Sequence, residues 1–140
     1  MNYSKGFTLI ELVVVIAIIA VLSGIILFTV TQYINKGKDS NISGNLAVLI
    51  PAGEVFYNSF PNSYGNSSQN FCGSSVATNT FSQMPSGTVF HCNVESTYYQ
   101  AWAACAREFT NANMAYCVDS RGMRKEIPNT SCISTIVSCP

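Results

Sequence analysis

KGFTLIELVVVIAIIAVLSGIILF, residues 5–28, is apolar almost throughout and is interrupted by one acid, Glu11. From Leu12 to Val30 there is no charged residue at all. Nineteen helical residues at about 1.5 Å each reach roughly 28 Å, close to the hydrocarbon thickness of a bilayer. The run is apolar on every side and includes the β-branched Val13, Val14, Val15, Ile16, Ile18 and Ile19, so it has no polar face to turn to water. A cleaved secretory signal fits it poorly: Ala17 and Ala20 are three apart without a good small-residue cleavage site, and the run is too long for a signal core. Glu11 is the residue to explain. An acid at the centre of a membrane helix costs about 2.5–3.5 kcal/mol on insertion scales, and less at its edge. Buried among other helices, it requires a positive charge beside it.

Outside this run the 140-residue chain is rich in Ser, Asn, Thr and Gly, with room for one modest domain. Lys plus Arg and Asp plus Glu number 7 each, so the formal charge is zero. A polybasic nucleic-acid patch and an acidic tail are thereby excluded. All six cysteines, Cys72, Cys92, Cys105, Cys117, Cys132 and Cys139, lie in the C-terminal half. They lack the close C-x-x-C pairs of a metal site, and His91 is the only histidine. An even number in a small Ser/Asn-rich domain argues for disulfides and an oxidising compartment. Six cysteines allow about 15 pairings; the simplest joins neighbours, Cys72 with Cys92, Cys105 with Cys117 and Cys132 with Cys139.

Past Val30, helical periodicity returns as Ile42, Leu46, Leu49, Gly53, Phe56 and Phe60. Gly37 and Gly44 make the polar stretch 37–44 the weak point of the helix, and Pro51 is expected to kink or locally loosen it. Pro61 to Asn70 reads as turn and loop, and Phe71, Val76 and Phe81 as inward anchors of a connecting region reaching about residue 86. TVFHCNV (88–94), YYQAWAACA (98–106) and MAYCVDS (114–120) read as strands of a three- or four-stranded antiparallel sheet, with REFTNAN (107–113) as a turn that sets Cys105 opposite Cys117. Asp119 with Gly122 suits a turn. The tail from Pro128 reads as a disulfide loop on the domain surface.

The stretch KGFTLIELVVVIAIIAVLS closely resembles the N-terminal signature of type IV pilins and the related pseudopilins. The resemblance implies a leader, residues 1–6, removed by a prepilin peptidase between Gly6 and Phe7, and N-methylation of Phe7. It implies that Glu11, the fifth residue after the cut, pairs with the Phe7 ammonium of a neighbouring subunit. It implies an α+β fold: a long helix from about Phe7 to Phe60, its first half (7–36) spanning the membrane or lining a filament core. The remainder, 37–140, is then a disulfide-bonded domain on a small antiparallel sheet, outside the cytoplasm. Lys36 and Lys38 follow the run while Lys5 precedes it, which does not favour an N-in orientation by positive-inside counting; the cysteines and the cleavage motif argue for it. The implied function is a structural subunit of a type IV pilus, held in the cytoplasmic membrane and then in an extracellular filament. Its implied partners are copies of itself or other pilins, the peptidase, the assembly machinery and inner-membrane lipid. A type II secretion pseudopilin shares the motif, and a monomeric membrane-anchored binding domain is the reading from a different class.

Catalysis has little support in the residues, and no cofactor is implied. His91 adjoins Cys92 in a strand, so the two point to opposite faces. Glu95, Asp119 and Glu126 are too few and too scattered for a calcium loop, and Asp119 reads as a turn residue. Trp102, Tyr98, Tyr99 and Tyr116 read as sheet core. Arg107, Arg121, Arg124 and Lys125 are too few to make an aromatic surface bind nucleic acid more than weakly.

Overall fold

A computed structural model describes residues 6–140, with the backbone alone described at 27 and 28; residues 1–5 of the expected leader lie outside it. The chain divides into two compact units, the first ending at Ile34 and the second running Asn35–Pro140. Helix α1, Leu9–Ser59, is followed by a 3₁₀ turn (Phe71–Gly73) and a short helix α2 (Ser75–Ser82). Four strands come next, β1 (Phe90–Val94), β2 (Trp102–Arg107), β3 (Met114–Asp119) and β4 (Arg124–Pro128), and a 3₁₀ turn opens the tail. The sheet is an antiparallel meander in the order β1-β2-β3-β4. The fold is α+β.

In the second unit the helical stripe packs where its period directs it: Ile42, Leu46 and Leu49 are fully buried. α1 is continuous through Gly37, Gly44 and Pro51. Around Pro51 the flanking Leu49, Ile50 and Ala52 pack on the core, and this tertiary burial outweighs the intrinsic penalty of proline. Gly53 has a specific reason. A Cβ there would lie 2.8 Å from Trp102 Nε1 and 3.0 Å from Cε2, so glycine is what lets the indole seat against the helix.

Strand β2 is buried on both faces. Its period-two alternation sends Trp102, Ala104 and Ala106 toward Ile42, Leu46, Leu49 and Phe71 in one core. Ala103 and Cys105 face the opposite way, into a second core with Ala115, Cys117, Ile127, Cys132, Ile136 and Cys139. The run of alanines keeps this strand thin enough to be covered twice. The tail is therefore no surface loop, because it supplies Cys132, Ile136 and Cys139 to that second core.

Three disulfides form. Cys72–Cys92 pairs as neighbours, whereas the other two are Cys105–Cys132 and Cys117–Cys139. This corrects the expected 105–117 and 132–139 pairing. Cys105 and Cys117 are indeed opposite partners in the β2–β3 register. Directly opposed residues hold their Cβ atoms about 4.5–5.5 Å apart, wider than the roughly 3.8 Å a disulfide prefers. Both side chains lie on the tail-covered face, and each takes a partner from the tail instead.

Three further expectations are corrected. The connecting region contains α2, capped by Ser74, whose hydroxyl accepts from the Ala77 N–H at 3.3 Å. Val76 on that helix is exposed, while Phe71 is fully buried and Phe81 stacks on Phe90 at 4.5 Å. The second strand begins only at Trp102: Tyr98 is 74 % exposed, and Tyr99 sits at φ 56° in the turn before it, packed against the first core.

Candidate functional site

The first unit presents apolar side chains along its whole described length, from Leu9 (80 % exposed) through Ile18 (55 %) to Ile34 (54 %). Among the described residues one helix, α1, is long and apolar enough to cross a membrane, by length and composition. A continuous apolar surface of this kind is more than a monomer leaves to water, and it marks a surface that meets lipid or protein.

At the head of this helix Thr8 and Glu11 form a capping box. The Thr8 N–H donates to Glu11 Oε2 at 2.9 Å and the Thr8 hydroxyl donates to the same oxygen at 2.7 Å. The Glu11 N–H reaches back to Thr8 Oγ1 at 3.3 Å. Two backbone donors that a helix start leaves unpaired are satisfied this way, and the carboxylate faces the positive end of the helix dipole. Glu11 Oε2 is thus engaged within the chain, while Oε1 accepts no hydrogen bond among the described residues. Phe7, Ile10, Glu11, Val14 and Val15 line one shallow, mostly apolar groove of about 330 Å³. The sequence reading missed Thr8, although its T-x-x-E spacing before an apolar run signals a capping box.

Gly6 and Phe7 precede the helix, and Phe7 is 76 % exposed. A methyl group on Gly6 would meet nothing within 4 Å among the described residues. Nothing in the described fold calls for glycine at this position.

In the second unit, Asp119 is a buried carboxylate as well as a turn residue. It accepts from Arg121 Nε at 3.1 Å and from Arg121 Nη2, and from the N–H groups of Arg121 (2.9 Å), Cys139 (2.9 Å) and Met123 (3.3 Å). Burial pushes its carboxyl up, but the Arg121 guanidinium and these N–H donors outweigh burial and hold it below the usual carboxylate range. Arg121 also donates to the Cys139 carbonyl at 3.0 Å, so the pair pins the tail. Asp119 has its acceptor capacity filled by these donors, and it does not converge with Glu95 and Glu126; no group of three His, Cys, Asp or Glu side chains that could hold a metal occurs among the described residues. Tyr64, which donates to Glu54 at 3.3 Å, is pushed up to about 12 by burial and then by the Glu54 charge. His91 is half-buried on β1 and opposes Cys105 in the register. Trp102 is fully buried, and Tyr116 packs partly buried against the same core.

Residues 1–27 match the family described as the prokaryotic N-terminal methylation motif. A 47-residue stretch, 34 % of this chain, is 53 % identical to the type IV major alpha-pilin of Moraxella bovis and covers 30 % of it. The N-terminal segment is similar to that of type IV pilins. A stretch of the same length is 51 % identical to fimbrial protein Q of Moraxella bovis, again covering 34 % of this chain and 30 % of the relative. The chain thus spans about a third of the curated pilin relatives it matches. No solved structure matches it. Gly6, Phe7, Thr8 and Glu11 all fall inside the matched methylation motif, so the capping box belongs to the pilin-type segment.

Proposed function

We propose that the chain is a structural subunit of a type IV pilus, cut by a prepilin peptidase after Gly6, methylated on the new Phe7 amine, and polymerised through its N-terminal helix. The observation that carries this reading is the apolar helix of the first unit, exposed along its described length and headed by one carboxylate with an oxygen to spare. In the membrane that helix is solvated by lipid. In a filament it is solvated by copies of itself at nearly equal free energy, so assembly need not expose it to water. Glu11 then supplies register: its open oxygen accepts the Phe7 ammonium of an adjacent subunit, and leaving either charge buried alone would cost about 3–5 kcal/mol. Before the cut, Phe7 has only an amide nitrogen, so an uncut subunit has no ammonium to offer there. A side chain at Gly6 would meet open space, which supports a requirement imposed by an external enzyme. On this reading the chain is structural, and residues 37–140 lie outside the cytoplasm.

The test is intact-mass analysis and N-terminal sequencing of the native protein. A methylated start at Phe7 is expected, and Gly6→Leu should abolish it together with the filaments. Glu11→Val should be cut and inserted normally yet give few filaments. Fibres built of chains that retain Met1 would overturn the proposal.

A further inference from the structure

The border between the two units falls between Ile34 and Asn35, inside α1. Just beyond it, Asp39 takes up three donors from the turn between β2 and β3. These are the Phe109 N–H at 2.6 Å, the Thr110 N–H at 3.0 Å and the Thr110 hydroxyl at 2.5 Å. Lys38 adds a cation–π contact, its Nζ 4.5 Å from the centroid of the Phe109 ring. Three residues on, Ile42 begins the fully buried stripe. Gly44 lies between the buried Ile42 and Leu46 and is carried by their packing. Asn45 further ties its own turn by donating to Asn41 Oδ1 at 2.8 Å.

Ahead of Asp39 the helix has little of this support. Tyr33 is 73 % exposed and Ile34 54 %. A Cβ at Gly37 would meet nothing within 4 Å. A few turns of helix without packing do not hold themselves in water, and glycine lowers their propensity further. The polar stretch that the sequence marks as weak, 37–44, is therefore weak only at its first residues.

We propose that Asp39 is a clasp that sets where the cooperatively protected part of α1 begins. Residues from 39 onward open only together with the sheet, whereas 33–37 open locally. The clasp is bidentate, since two oxygens of one carboxylate share three donors on the same turn, so it fixes this turn of helix against the hairpin. The proposal does not rest on the filament reading.

Hydrogen–deuterium exchange of the full chain in detergent micelles, read on peptides covering 33–37 and 40–46, tests it. Residues 33–37 should exchange at least about tenfold faster than 40–46. Asp39→Ala should raise exchange in 40–46 by roughly ten- to a hundredfold, as expected for charge-assisted bonds, with β2 still slow. Thr110→Val, which spares both N–H bonds, should give a smaller rise. Equal protection of 33–37 and 40–46 would overturn the proposal, as would an Asp39→Ala chain with an intact sheet and unchanged exchange in 40–46. Should Asp39→Ala unfold the sheet as well, Thr110→Val decides, and unchanged exchange there counts against the clasp.

Discussion

Asp119 shows how one side chain acquires a role that its neighbours in sequence do not announce. Asp119 and Gly122 were legible as a turn, but the Cys139 N–H that makes Asp119 a pin arrives from 20 residues away. Its folded pKa lies below the unfolded value of about 3.9. Its contribution is therefore complete above that value and is lost as pH falls through the lower, folded pKa. Asp119→Asn should destabilise the second unit by about 1.5–3 kcal/mol at neutral pH. Thermal unfolding from pH 7 down to 2 should then show a shallower acid loss in the variant than in the parent. Parallel profiles would assign the acid sensitivity to other carboxylates. Gly53 is a second instance at this scale: periodicity put it on the buried stripe, yet only the approach of Trp102 explains why that place holds glycine.

At the scale of elements, legibility followed the length of the pattern. α1 was readable because its stripe repeats over five turns, and the strands because aromatic and β-branched residues cluster between turn signals. α2 was not, since eight residues of mostly polar sequence carry too short a period to separate from loop. The tail was misread because its apolar residues, Ile133, Ile136 and Val137, stand among Ser and Thr, and burial of Cys132, Ile136 and Cys139 depends on the sheet face they meet. This placement makes the disulfides unequal. Cys72 and Cys92 are half-buried, whereas Cys105, Cys117, Cys132 and Cys139 lie within the second core. Thiolate attack requires access to sulfur, so titrating native protein with a mild reductant should open Cys72–Cys92 first, as read by alkylation and peptide mapping. Simultaneous opening of all three would mean that reduction follows global unfolding.

For the whole molecule, the division after Ile34 separates a segment whose surface suits lipid or other helices from one with two cores of its own. A chain beginning at Asn35 is expected to be a detergent-free monomer with three intact disulfides and a blue-shifted Trp102 emission. The longer chain, starting at Phe7, should need detergent or assemble. Size-exclusion chromatography with fluorescence distinguishes these outcomes. Aggregation of the shorter chain would mean that the first unit is also needed for folding of the second.

The sequence by itself determined the apolar helix, its acid, the pilin-type motif and the covered face of α1, because each is written in local order: a period, a spacing or an uncharged run. The disulfide partners, the second core, the Asp119 pin and the Asp39 clasp were decided only by the tertiary structure. Each joins residues far apart along the chain, and which distant groups meet is set by strand register and by what covers each sheet face, neither of which any short window of sequence contains.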